Sequence, residues 1–289
     1  MSQLVELPAM PSAAGLYARV LAPVSRPGVA AGLPDRVVRL AGHRCSVAEV
    51  AAYDAVCGFG LTDELPATWL HVLTFPLQLT LMSARDFPLA LAGMLHVRNS
   101  MTQHRPALIT DALELSVRAE NVRPHRRGVL IDLVGEARVG DELVWQGRSV
   151  YLNRQVTLPG APEATSPQGP ASDGTDLRTA GLWRLPAELG RRYAAVSGDV
   201  NPIHLNPLAA KAFGFPRAIA HGMWTHARAL AALQPRLPDG YEVSVEFSKP
   251  VLLPSTVRFA VAESNGGFTA ALTDRMGEKR FLEMSTTAA

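Results

Sequence analysis

Cysteine is scarce in this chain: Cys45 and Cys57 are the only two, and neither sits in a C-x-x-C pair. That excludes a disulfide scaffold, and no Cys/His spacing matches a zinc site. Charge of one sign is also missing. With 28 basic against 26 acidic residues the net charge is +2, so no global field calls for nucleic acid. Long apolar runs are absent too. The stretch Ala218 to Leu233 contains His and Arg and is too short to span a bilayer. The residues from Met1 to Met10 lack a basic segment followed by an apolar run, so no secretory signal is expected. A cytoplasmic protein with neither a nucleic-acid nor a membrane partner is predicted. What is present, 47% hydrophobic and 19% charged residues over 289 positions, suits packed cores and two domains of ordinary size.

The clearest punctuation lies at residues 157–179, rich in Pro, Gly, Ser, Ala and Asp and without hydrophobic period; it reads as a linker. It separates a unit at 1–156 from one at 180–289. The two resemble each other. Tyr193-Ala194-Ala195-Val196-Ser197-Gly198-Asp199 matches Tyr53-Asp54-Ala55-Val56-Cys57-Gly58-Phe59 at four of seven positions, offset by 140. Alone that is weak, but strand signals then recur in the same order. Leu95 to Asn99, Ala112 to Val117, Val129 to Val139 and Leu143 to Leu152 in the first unit answer to Val243 to Phe247, Thr256 to Val261, Phe268 to Thr273 and Arg280 to Thr286. Each unit thus reads as helical material followed by antiparallel strands. The fold class is α+β, with a helix available to cover one sheet face, and tandem duplication explains the pattern.

The stretch from Tyr193 to Thr225 carries the chemistry. Ser197-Gly198-Asp199 and Asn201-Pro202 are turn formers, so the chain bends there between apolar segments. A carboxylate (Asp199), an amide (Asn201) and an imidazole (His204) gathered within six residues suit proton transfer near neutral pH. A short helix is expected from Pro207 to Phe213, then a longer one from about Ala220–Gly222 to Leu233. Gly222 in its first turn lets a ligand approach backbone N–H groups that suit an enolate-like oxygen. One such donor is worth roughly 3–4 kcal/mol in an oxyanion hole. Taken singly, Asp199 reads as an Asx-turn residue, His204 as a core histidine and Gly222 as a packing glycine; the combined spacing D-x-N-x-x-H followed by A-H-G is what favours a site. His221 and His226 are five apart, so no helical metal pair is expected. Ser197 lacks a G-x-S-x-G elbow and reads as a turn or support residue.

The string Tyr193…Ser197-Gly198-Asp199-Val200-Asn201-Pro202-Ile203-His204, with Ala209, Gly214-Phe215 and Ile219-Ala220-His221-Gly222-Met223, closely resembles the MaoC-like hydratases: the (R)-specific 2-enoyl-CoA hydratases and (3R)-hydroxyacyl-thioester dehydratases. The resemblance implies a double hotdog, two tandem units each with a central helix wrapped by a curved antiparallel sheet. The first unit would be degenerate and the second catalytic. It implies Asp199 and His204 as the catalytic pair, Asn201 as their support and Gly222 as the oxyanion donor. Ser197, Ile203, Phe215, His221 and Met223 are expected to contact substrate. It implies hydro-lyase chemistry on a CoA or acyl-carrier-protein thioester of fatty-acid metabolism, with no metal or redox cofactor and with room for a homodimer.

At the 140-residue offset Phe59 and Glu64 stand where Asp199 and His204 do, so no active site is expected in the first unit. His71, Phe75, Leu79 and Met82 line either an acyl tunnel or, the commoner use of such a stripe, a core. Arg105, Arg126 and Lys249 are candidate phosphate contacts, and Arg123, His125, Arg126 and Arg127 form a basic cluster. A thioester hydrolase and a non-catalytic acyl-thioester-binding subunit are the competing readings.

Overall fold

A computed structural model describes residues 3–20, 26–91, 93–160, 176–264 and 266–289. In chain order the elements are β1 (Gln3–Glu6), α1 (Ala13–Val20), β2 (Arg36–His43), α2 (Val47–Cys57), β3 (Glu64–Leu65), α3 (Ala67–Ser83), β4 (Met94–Gln103), β5 (Ala107–Leu108), β6 (Leu113–His125), β7 (Gly128–Val139) and β8 (Glu142–Asn153). There follow β9 (Arg178–Leu185), α4 (Leu189–Ser197), α5 (Pro202–Leu205), α6 (Pro207–Ala212), α7 (Gly222–Leu233), β10 (Tyr241–Phe247), β11 (Ser255–Ser264), β12 (Gly267–Asp274) and β13 (Arg280–Ala288). Of the stretch read as a linker, residues 161–175 lie outside the described residues, and Arg178 and Thr179 already belong to β9.

One sheet of eleven strands runs β1-β2-β6-β7-β8-β4-β10-β13-β12-β11-β9, antiparallel apart from the β1–β2 pair. Its centre is the β4–β10 junction, where Tyr241 faces Gln103 and Glu246 faces Arg98, so the two halves join edge to edge. The curved first half wraps α3, which packs on β2, β6, β7 and β8; the second half wraps α7, which packs on β12 and β13. This is the double hotdog. The apolar sequence of α3 is buried along nearly its whole length, as a helix without a polar face must be. One hydrophobic core runs through both halves. Among the described residues no helix is long and apolar enough to cross a membrane.

Two expectations need correction. In each half a strand, β2 or β9, stands directly before helix α2 or α4, and in the first half β1 and α1 come earlier still. β9 escaped notice because it is a largely exposed edge strand whose outward face carries Leu182, so its sequence shows no clean polar–apolar alternation. The pairing of Glu64 with His204 also fails. Nine residues separate α2 from α3 while 24 separate α4 from α7, so the first half has no counterpart of α5 and α6. Glu64 is an exposed residue of β3, and Phe59 stacks on Tyr53 at 6.2 Å. Beyond that gap the register between halves moves to 155, and Trp69-Leu70-His71 then answers to Trp224-Thr225-His226.

Candidate active site

The site is built on a run of side-chain-capped turns. Helix α4 ends at Gly198, whose left-handed backbone (φ 70°) returns its N–H to the Ala194 carbonyl at 3.0 Å. Ser197 Oγ then accepts the Asp199 N–H at 3.2 Å, and Asp199 Oδ1 accepts that of Asn201 at 3.2 Å. Asn201 Oδ1 in turn accepts the Ile203 N–H at 3.4 Å and caps α5. Asp199 is therefore an Asx-turn residue and a cavity residue at once. The amide of Asn201 serves the helix cap, and its backbone N–H is what reaches Asp199.

Helix α5 carries His204 into a layer formed by three chain segments. The Ile219 N–H donates to the Ile203 carbonyl at 3.2 Å, and the Ala220 N–H donates to the Val251 carbonyl at 2.8 Å. The Ile219 carbonyl accepts from His204 Nδ1 at 2.8 Å. A carbonyl can only accept, so Nδ1 carries the proton and Nε2 keeps its lone pair. The His221 ring stacks on that of His204, with centroids 3.7 Å apart, and its Nε2 donates to the Asp199 carbonyl at 3.0 Å. Helix α7 begins immediately afterwards at Gly222, so its first N–H groups lack helical partners, and Gly222 and Met223 line the cavity.

The carboxylate of Asp199 is 25% exposed. Burial opposes its ionisation, but His221, His204, the Tyr17 hydroxyl and the Asn201 N–H outweigh that and hold it below the usual carboxylate range. Burial pushes His204 below its ordinary value, against the pull of Asp199 and of its bond to Ile219. Burial and the neighbouring His204 bring His221 down to about 3. Near neutral pH the site thus pairs an ionised carboxylate with a neutral imidazole. Asp199, His204 and His221 bring one donor atom each within 4.8 Å of one another. Both imidazole rings are already tied to backbone carbonyls, so a cation would have to be held through their remaining nitrogens, and Nδ1 of His221 is buried.

These groups line a cavity of about 890 Å³ that spans both halves. All nine residues singled out from the sequence, Ser197, Asp199, Asn201, Ile203, His204, Phe215, His221, Gly222 and Met223, line it. The first half adds Tyr17, His71, Phe75, His96 and Tyr151. Of the suggested tunnel stripe His71 and Phe75 reach the cavity, whereas Leu79 and Met82 are fully buried in the core. Arg126, Arg127, Arg154 and Lys249 are exposed and also line it. Arg105 is not among the lining residues; it pairs with Glu142 at 2.8 Å, so surface ion pairing is its role. Tyr17, whose hydroxyl donates to Asp199 Oδ1, was not foreseen. It lies 182 residues away from its partner, and no local pattern connects them.

Comparison with known proteins agrees with this geometry. Residues 173–279 match the model of the MaoC like domain. The chain is 46% identical over 241 residues to 3-hydroxyacyl-thioester dehydratase X of Mycobacterium tuberculosis (strain ATCC 25618 / H37Rv), covering 83% of this chain and 85% of that one. The crystal structure of HtdX from Mycobacterium tuberculosis superposes with a TM-score of 0.77 at 40% identity, over 88% of this chain and all (100%) of that one. An (R)-specific enoyl-CoA hydratase of Rhodospirillum rubrum is 32% identical over 99 residues, 33% of this chain and 62% of that protein. A Mycobacterium tuberculosis protein described as having a double hotdog fold shares the fold, with a TM-score of 0.55 at 15% identity over 85% of this chain and 92% of that one. The chain belongs to the MaoC-like family of hydratases and dehydratases.

Proposed function

We propose that the protein is a hydro-lyase that interconverts trans-2-enoyl and (3R)-hydroxyacyl thioesters in fatty-acid metabolism. The observation that carries this reading is the convergence of an ionised Asp199 and a neutral His204 on one cavity wall beside the N-terminus of α7. In hydration, water held between the Asp199 carboxylate and His204 Nε2 gives its oxygen to C3 of the enoyl group while C2 receives a proton. The Gly222 N–H supports the thioester oxygen as it gains negative charge. Dehydration reverses each transfer. An acid–base pair of this kind contributes roughly 10²–10⁴-fold.

Within this reading the first unit, residues 1–156, is non-catalytic and supplies half of the substrate cavity through Tyr17, His71, Phe75 and Tyr151. The exposed Arg126, Arg127, Arg154 and Lys249 suit the phosphate of a pantetheine carrier, whether coenzyme A or acyl carrier protein. Cys45 and Cys57 are free thiols, in keeping with a reducing cytoplasm. A symmetric homodimer is part of the proposal.

The test is crotonyl-CoA hydration followed at the enoyl-thioester absorbance band, with free thiol assayed in parallel. Loss of absorbance without thiol, and loss of that activity by roughly 10²–10⁴-fold in Asp199→Asn and His204→Ala, is expected. Thiol release in step with the absorbance change would make the protein a hydrolase instead. Folded variants with wild-type rates would remove the Asp/His assignment.

A further inference from the structure

We propose that Tyr17, on helix α1 of the unit that lacks the Asp/His motif, is a positioning residue for Asp199. Its hydroxyl fixes Oδ1, leaving Oδ2 as the oxygen that exchanges the proton. The inference rests on the hydro-lyase reading and adds to it a division of labour between the two carboxylate oxygens.

The two oxygens of Asp199 stand in different surroundings. Oδ1 accepts from the Tyr17 hydroxyl and from the Asn201 N–H at 3.2 Å. Oδ2 lies 3.8 Å from His221 Nε2, beyond hydrogen-bond reach, and that nitrogen spends its proton on the Asp199 carbonyl at 3.0 Å. A carboxylate with one oxygen tied twice can swing only about that anchor, so Oδ2 is the one offered to the cavity.

Tyr17 is built to hold this position. It is only 6% exposed and lines the cavity, its ring lies 6.3 Å from that of Phe75, and α1 packs on α3. Burial and the adjacent Asp199 both drive its hydroxyl pKa upward, so it stays protonated and acts only as a donor. The other titratable groups around Asp199 are His71 on α3, His96 on β4, Tyr151 on β8, Tyr193 on α4, His204 on α5 and His221 at the head of α7. Among the described residues none of them makes a side-chain hydrogen bond to the carboxylate.

Tyr17→Phe keeps the ring and removes the donor. A hydrogen bond to the ionised form favours that form, so its loss raises the Asp199 pKa. The ¹³C-carboxyl resonance of Asp199, assigned by comparison with Asp199→Asn, is expected to titrate about one pH unit higher in Tyr17→Phe. The acid limb of kcat/KM should move up with it, and kcat should fall roughly tenfold while KM stays within about twofold. A merely structural tyrosine would lower thermal stability and leave the carboxyl titration where it was. An unmoved Asp199 titration in folded Tyr17→Phe overturns the proposal whatever happens to the rate. Because that titration needs no turnover, its failure is distinct from a wild-type protein that fails to hydrate crotonyl-CoA.

Discussion

His226 is fully buried on α7, and among the described residues neither ring nitrogen has a hydrogen-bond partner. An unpartnered buried polar group costs about 1–3 kcal/mol. Burial, with His71 adding to it, brings its pKa down to about 3, so it is neutral in the folded protein. The unfolded chain, with histidine near 6.5, takes up a proton that the folded one refuses as pH falls below that value, and stability is lost from there down toward pH 3. His221 and His71, lowered to about 3 and about 4, act in the same direction. The slope is about 1.4 kcal/mol per pH unit for each such group well below 6.5. His226→Leu removes both the unpartnered nitrogens and one titration. It is expected to raise the melting temperature at pH 6 and to make the fall between pH 7 and pH 5 shallower. A melting temperature lowered at every pH, with the slope intact, would refute that account. Asp199, Asn201, His204 and Gly222 were legible in the sequence because local turn and helix-start chemistry places them within 24 residues. The equivalence of His226 with His71 was not, because the α5–α6 insertion shifts the repeat register between them from 140 to 155.

Gly190 couples helix packing to the chemistry. A Cβ on this first-turn residue of α4 would lie 2.0 Å from the backbone oxygen of His204, so α4 rests directly on α5. Any side chain there must push α5 outward and strain the 2.8 Å bond that fixes His204 Nδ1 to Ile219. Gly190→Ala is expected to cost about 1–3 kcal/mol of stability. Its kcat/KM should fall at least roughly tenfold, because a displaced base loses alignment with its water. Parallel denaturant melts and steady-state kinetics check this, and an unchanged kcat/KM would refute the coupling. At the level of elements, alternating runs in β6 and β11 and strand-like runs bounded by turn residues revealed β4, β6, β7, β8 and β10 to β13, each of which puts side chains into the core. They missed β9, which covers little, and they could not show that α1 would pack on α3 and bring Tyr17 to Asp199.

At the scale of the whole molecule, the two halves repeat one another across the β4–β10 junction. Tyr53 and Tyr193, equivalent by sequence, meet between the halves with ring centroids 6.3 Å apart where α2 packs on α4. The indole N–H of Trp224 crosses the same divide to the Val56 carbonyl at 3.0 Å. The second half therefore depends on the first for a strand partner, a helix partner and part of its cavity. Taken alone, residues 176–289 would leave the β10 edge unpaired and the buried face of α4 open to water, which favours association with another chain. The native junction is antiparallel, so a second copy of β10 can pair in the same sense and recreate a two-fold arrangement. The fragment is expected to run as a dimer or larger assembly by light scattering, with dissociation accompanied by loss of its cooperative melt. A monodisperse monomer that melts cooperatively would show instead that the second half is self-sufficient, and that the first was joined to it for the substrate cavity alone.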